Sequence, residues 1–332
     1  MTNRHSRRYK TISIIFLAFF IQGCSQKHSE KVLRLSHGLD VTHPVHKAMI
    51  YMEERLKEYS DGTLKIQIYP GNQLGNERES LELLQIGSLA MTKVSANTLE
   101  GFVPEFRLFN LPYIFTSDNH RYRVLESALA HDLLLKGIPH RFMGLCYYDA
   151  GSRSFYTKNK PVYTPDDLKG LKIRVMESST AIEMVNAMGG SATPISWGEL
   201  YTALQQGIVD GAENNPPSFY TSHHYEVCKY YSLDEHTSVP DVLVISTHVW
   251  ETLSDDEKQW LHKAADESAA YQKILWQEAT DEAFRILEEN GVTIIKPDKS
   301  FFQKQVSPLY EKYKKDPLLG DMIQQIRTMA LQ

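Results

Sequence analysis

The sequence predicts an α/β protein: two α/β domains with a ligand cleft between them, crossed by one long helix. Three observations predict it. From residue 32 onward, apolar segments of strand period alternate with segments of helix period. The same grammar starts afresh near residue 164. The stretch between Ser254 and Gly291 contains neither proline nor glycine.

Each element has a local reason. Val32 to Leu35 reads as the first strand. His43-Pro44 opens a helix with Ala48, Met49, Met52 and Leu56 at helical spacing; proline is tolerated at the first helical position, where its missing N–H is no loss. Asp61-Gly62 is a turn, and Leu64 to Ile68 alternates as a strand that stops at Pro70-Gly71. Residues 77–86 form a short helix ended by Gly87, and Met91 to Ser95 is the next strand. In the second half, Thr164-Pro165-Asp166-Asp167 is a helix start and Gly170 its end. Leu171 to Val175 alternates strictly, Ser178 or Ser179 caps the next helix, and Gly189-Gly190 stops it. Ser196-Trp197-Gly198-Glu199 reads as a capping box before Leu200, Ala203 and Leu204, with Gly207 at the helix end and Ile208 to Ala212 as a strand. Ser254-Asp255-Asp256-Glu257 is a further capping box. The helix it opens is about 35 residues, or ~50 Å at ~1.5 Å per residue, longer than one small domain. It either spans two domains or breaks in the middle. We expect it to span, because a continuous rod couples the domains mechanically.

The first residues differ from the rest. Arg4, Arg7, Arg8 and Lys10 precede an apolar run from Ile12 to Ile21, and Gly23-Cys24 follows. A basic start, a short apolar core and a small residue describe an export signal. The run falls short of the ~20 apolar residues of a transmembrane helix, although a single anchor helix stays open as an alternative. Gly23-Cys24 resembles a bacterial lipoprotein signal, in which Cys24 is lipidated and becomes the new N-terminus; the alternative is a plain secretory signal cut a few residues later. Without residues 1–23 and their four basic side chains, 32 basic face 41 acidic groups, a net of −9. That balance argues against nucleic acid or an anionic membrane surface as partner. Cys146 and Cys228 remain; Cys146 lies in an apolar run, and both are expected as free thiols.

No Gly-x-Ser-x-Gly elbow, His-Glu-x-x-His, phosphate loop or dinucleotide glycine pattern is present. His43 and His46 with His37, or His223-His224 with Glu226, have loose spacing that fits surface or capping histidines better than metal ligands. No metal or cofactor is expected. Arg174 sits on the polar face of the strand containing Leu171, Ile173 and Val175. It is either at a solvated edge or aimed into a cleft, where its planar fork suits a carboxylate. Arg153 lies mid-chain, where a crossover between domains is plausible, and Asn214 directly follows a strand. Open α/β sheets place ligands at the carboxyl ends of strands.

At these residues the chain resembles the solute receptors of tripartite ATP-independent periplasmic (TRAP) transporters, the DctP-type family, over roughly 32–320. The resemblance rests on ordered segments: Tyr69-Pro70-Gly71-Asn72-Gln73-Leu74-Gly75-Asn76-Glu77-Arg78-Glu79, Leu111-Pro112-Tyr113-Ile114-Phe115, Asp166 to Val175, and Glu199 to Asn214. It implies a periplasmic-binding-protein-like receptor that closes on its ligand, with a long helix across both domains. It also implies that Arg174 forms the salt bridge to a ligand carboxylate, that Asn214 fixes the ligand, and that Arg153 is a second arginine of the clamp. Glu77, Ser95, Asn97, Glu177, Trp197 and His236 are candidates for tuning specificity. Glu77 has an alternative role as the acid at a helix N-terminus, and Trp197 as core. The expected division is residues 1–23 as signal, 24–31 as tether, 32–152 with about 240–280 as the first domain, and 153–239 with about 281–332 as the second.

Simple dicarboxylate binders need two cationic poles. Glu77, Asn97, Glu177 and Trp197 around one carboxylate clamp suit a polyhydroxylated acid better. Segments Gly211 to Tyr220 and His224 to His236 look like those of the uronate-binding members. The expectation is therefore a hexuronate such as glucuronate or galacturonate, or an aldonate, delivered to a membrane permease. Sialic acid, a C4-dicarboxylate or a keto acid are alternative ligands. An exported enzyme acting on sugar acids and a sensory binding module are the competing classes. The enzyme would need an acid–base pair within reach of the substrate, a role for which Glu77 and His236 could be recruited.

Overall fold

Among the described residues, eleven strands form in chain order: β1 (Lys31–Ser36), β2 (Leu64–Tyr69), β3 (Met91–Ser95), β4 (Phe142–Tyr148), β5 (Arg153–Thr157), β6 (Lys172–Val175), β7 (Ser191–Pro194), β8 (Gly211–Asn214), β9 (Tyr230–Thr237), β10 (Asp241–Ser246) and β11 (Thr293–Ile295). They belong to a computed structural model that describes residues 30–331. The signal at 1–23, the Cys24 lipidation site and nearly all of the expected tether lie outside those residues. Among the described residues, no helix is long and apolar enough to cross a membrane.

The strands make two sheets, and the α/β two-lobed class is as the sequence predicts. The first runs β2-β1-β3-β10-β4 and the second β11-β9-β5-β8-β6-β7. In the first, β10 is antiparallel to both β3 and β4, while β1 is parallel to β2 and β3. In the second, β6 is parallel to β7 and β8, and β5 is antiparallel to β8 and β9. The chain passes between sheets after Tyr148, after Thr237 and along the long helix.

Helices cover these sheets for the reasons visible in their ends. The helix Pro44–Tyr59 starts on the His43 imidazole, which accepts from Val45 N–H, and buries Val45, Ala48, Met49, Met52 and Leu56. Asn76 and Glu79 form a reciprocal capping box for Glu77–Gln85. Ser178, not Ser179, caps Ser179–Ala187. The long helix is one continuous rod, Asp255–Glu289. Leu261, Ala264, Ala265 and Trp276 join the core of the first sheet, whereas Leu287 joins that of Tyr156, Leu204 and Phe219 beside the second. It therefore spans both lobes. Near the C-terminus, Phe302 and Val306 pack with the second sheet's core. Tyr313, Ile323 and Ile326 pack with Val94, Leu99 and Phe109 beside the first sheet, so the helix Gly320–Met329 does not follow the second lobe, where 281–332 had been expected.

Two local expectations shift. The strand expected over Ile208–Ala212 forms at Gly211–Asn214 instead. Gly207 takes φ +73° at the helix end and Ile208 N–H bonds back to Ala203 C=O at 2.9 Å, which holds Ile208 out of the sheet. At residues 196–199 the Ser196 hydroxyl donates to the Glu199 carboxylate at 2.6 Å and caps no N–H, and a short 3-10 turn leads into Leu200–Gln206. Cys146 and Cys228 are buried free thiols in separate cores.

Candidate functional site

Between the two sheets lies a cleft of about 800 Å³, part of it continuous with solvent. Its walls come from the carboxyl ends of parallel strands and the starts of the antiparallel ones that run beside them. Ser95 ends β3, Asn214 ends β8, Met176 and Glu177 follow β6, and Arg153 and Asp241 open β5 and β10. This is where open α/β sheets leave room for ligands, because the loops splay apart there.

Arg174 is the largest fully buried side chain, 1% exposed. Its Nε donates to Ile195 C=O at 2.8 Å, its guanidinium carbon lies 5.8 Å from the centre of the Trp197 ring, and its Nη1 has no hydrogen-bond partner. No carboxylate pairs with it among the described residues, and burial draws its pKa down from the ordinary arginine value. Burying an unpaired cation is costly, and here that cation lines a cleft. Nearby His224 is lowered to about 3 by burial and by Arg174, so it adds no charge of its own.

Arg153 is different, because it is already engaged. It pairs with Glu213 through Nε, and its Nη2 donates to Glu213 Oε1 at 2.8 Å and Glu213 C=O at 2.9 Å. Burial opposes ionisation of Glu213, but Arg153 outweighs it and holds the carboxyl at about 2. The remaining arm of Arg153, Nη1, donates to Asn214 Oδ1 at 2.8 Å, and Asn215 N–H donates to the same oxygen at 2.9 Å. Those two donors fix the amide with its oxygen inward, which leaves the Asn214 NH₂ as the group available to the cleft.

Glu77 lines the cleft from the start of its helix. Its Oε1 meets Lys93 Nζ at 3.1 Å, and its Oε2 accepts from Thr98 Oγ1 at 2.6 Å and Ser95 N–H at 3.1 Å. Ser95, Glu177 and Trp197 also line the cleft. Two expected residues do not. Asn97 stands behind Met176, with Nδ2 at 3.6 Å from the Met176 sulfur. His236 is fully buried behind Glu213: its Nδ1 is 2.8 Å from Asp234, its Nε2 is 3.5 Å from Glu213, and its ring stacks on Phe155 at 4.5 Å. It does not approach the cleft because the alternation of β9 turns it into the lobe. Burial alone would lower its pKa; Asp234 and then Glu213 outweigh burial and hold it at about 9.

Other wall residues went unnoticed in the sequence: Asn72, Lys93, Asn215, Ser218 and Asp241. Lys93 had a visible signal, a lysine within the otherwise apolar or small-polar strand Met91-Thr92-Lys93-Val94-Ser95. Asp241 had none beyond following Pro240. The histidines considered as metal ligands make other contacts. His37 Nε2 lies 2.9 Å from His46 Nδ1, and His43 Nε2 reaches across to Ser218 Oγ at 3.2 Å. Among the described residues no group of His, Cys, Asp and Glu has metal-holding geometry. Further contacts close the lobes on each other. Glu100 of the first accepts from Ser179 Oγ at 3.0 Å and Thr180 N–H at 3.1 Å of the second. Gly198 lets Asn72 come so close that a Cβ there would stand 2.9 Å from Asn72 Nδ2.

Comparison with known proteins agrees with this architecture. The model of bacterial extracellular solute-binding protein, family 7 (DctP), matches residues 35–316. The chain is 36% identical over 324 residues to the uncharacterized protein YiiZ of Salmonella typhimurium, covering 97% of each. It is similar to a solved TRAP periplasmic solute binding protein from Xanthobacter autotrophicus with bound beta-D-galacturonate, at 36% identity and TM-score 0.86 over 89% of this chain and 99% of that one. A second, from Anaerococcus prevotii with bound alpha/beta D-glucuronate, matches at 35% identity and TM-score 0.88 over 90% and 98%. With two lobes, one rod across them and a polar cleft between, the chain belongs to the bacterial extracellular solute-binding proteins of family 7, the DctP family.

Proposed function

We propose that this protein captures a hexuronate such as glucuronate or galacturonate, or a related aldonate, outside the cytoplasmic membrane and delivers it to the membrane subunits of a TRAP permease. The observation that carries this reading is Arg174: a buried guanidinium on the cleft wall, with an unpartnered N–H and no carboxylate of its own. A ligand carboxylate supplies the missing partner, and the arginine's planar fork favours a two-bond grip. Asn214 adds its amide NH₂, held by Arg153, while Glu77, Ser95 and Asp241 on the other lobe offer the polar groups a hydroxylated body needs. The relatives solved with bound uronates support the same ligand class. In this reading the receptor works in the periplasm, and a lipid on Cys24 tethers it to a membrane.

The test is thermal unfolding of the protein beginning at Ser25 against uronates, aldonates, sialic acid, C4-dicarboxylates and keto acids. A ligand at about 100 times its Kd stabilises by about 2.7 kcal/mol. Arg174→Ala removes the partner of a buried carboxylate, a loss of about 3–5 kcal/mol of binding, so the melting shift should vanish while circular dichroism stays native. Near-normal affinity in that variant sinks the assignment, and a shift with dicarboxylates alone sinks the ligand class.

A further inference from the structure

The first-lobe wall of the cleft carries one ammonium between two carboxylates. Lys93, 3% exposed on β3, places Nζ 3.1 Å from Glu77 Oε1 and 3.1 Å from Asp241 Oδ1. All three groups line the cleft. Asp241 is fixed by its place in the sheet, since β10 pairs it with Ser95 of β3 on one side and Tyr148 of β4 on the other. Both oxygens of Glu77 already have donors within the protein, whereas Asp241 Oδ2 has none among the described residues. An ionised carboxylate oxygen only accepts hydrogen bonds, so the natural complement to Asp241 Oδ2 is a hydroxyl.

We propose that Asp241 is a specificity-determining residue: its free oxygen accepts a ligand hydroxyl and, together with Glu77, it bars a second ligand carboxylate. The receptor then takes sugar acids with one carboxylate and rejects aldarates, which carry one at each end. The inference rests on the reading that a sugar acid is held at Arg174. With the first carboxylate there, the second end of the ligand faces the other lobe. Among the described residues, every other cation of the cleft is already paired with a carboxylate of the protein. Arg153 is spent on Glu213. Lys93 is already shared, and Arg78 is half exposed and pairs with Glu82. Glu177, exposed on the cleft wall just past β6, adds only further negative charge. A second carboxylate would become the third around a single ammonium, and like-charge contacts of this kind discriminate strongly between ligands.

The experiment is calorimetric titration of the purified protein with D-glucuronate, D-galacturonate and D-gluconate against D-glucarate and galactarate. Gluconate and glucarate share a linear carbon chain and differ only in the oxidation of one end, which removes ring closure as a cause. The best monoacid should bind at least about 100-fold more tightly than either aldarate; a smaller ratio overturns the inference. In Asp241→Asn the ratio should fall by at least about tenfold, because Glu77 alone then balances Lys93. An unchanged ratio in a folded variant removes Asp241 from the role. If Asp241→Asn does not fold, the ratio of the unaltered protein decides. Tight binding of monoacid and aldarate alike overturns this inference and leaves the sugar-acid reading standing. Binding of none of the five acids overturns both.

Discussion

The two arginines of the cleft show how one residue type serves two purposes. Arg174 has no carboxylate paired with it among the described residues and lines the cleft, whereas Arg153 is neutralised by Glu213 and acts on Asn214. Behind that pair stands His236, whose charge is favoured by Asp234 and Glu213 at the cost of burial. Its pKa rises from 6.5 in the unfolded chain to about 9 in the fold. Below pH about 6.5 both states hold the proton and the stabilisation is complete; as pH rises through about 9 the folded state loses the proton and the stabilisation goes with it. The predicted loss across that window is about 3 kcal/mol. Urea midpoints from pH 6 to 10 check it: the slope should flatten in His236→Gln, and an equal slope in both proteins refutes the assignment.

At the scale of elements, the long helix does more than cover the sheets. Gln272 on its buried face accepts from Asp149 N–H at 2.9 Å and donates to Asp149 C=O at 2.8 Å. Ser268 meets Tyr148 at 2.8 Å one turn earlier. Asp149 lies in the crossover that carries the chain from β4 to β5 and so to Arg153. At the same crossover Gly151 takes φ +54°, and a Cβ there would stand 2.8 Å from Trp276 Nε1. The rod thus sets the geometry of the passage that positions the clamp. Gln272→Ala leaves two buried backbone groups unpaired, for a predicted loss of about 2–4 kcal/mol. Equilibrium denaturation reads this directly, and a change below about 1 kcal/mol, the net worth of a single hydrogen bond, would place the crossover's rigidity elsewhere.

For the whole molecule, affinity depends on how the lobes meet. Glu100 is buried between them, held by Asn110 Nδ2 at 2.6 Å within its own lobe and capping the helix Ser179–Ala187 of the other. Hydrogen bonds to a charged group are worth about 1.5–3 kcal/mol, and a carboxylate is favoured at a helix N-terminus. Glu100→Ala is predicted to weaken ligand binding by about tenfold or more, mainly through faster release. Stopped-flow fluorescence with Trp197 in the cleft measures that rate; an unaltered release rate would exclude Glu100 as a latch.

Much of this was legible in the chain because its signals are local. Capping boxes, proline at helix starts, glycine at helix ends and strand alternation act over a few residues, so the helices at 44, 77, 179 and 255 and the strands at 64, 91 and 172 could be read one by one. The long rod was legible for the same reason, since no helix breaker interrupts it. The family motifs pointed to the cleft, and Arg174, Arg153, Asn214, Glu77, Ser95, Glu177 and Trp197 do line it. What the chain could not disclose is pairing across long separations. Lys93 meets Asp241 across 148 positions and Arg153 meets Glu213 across 60, and only the sheet registers bring them together. Tertiary structure alone decided that His236 faces a carboxylate pair instead of the cleft, that Asn97 stands behind Met176, and that Arg153 is already neutralised while Arg174 is not. Local sequence fixes which backbone shape is cheapest at each step; which charges end up side by side depends on how two sheets and one rod pack, and that is a property of the whole fold.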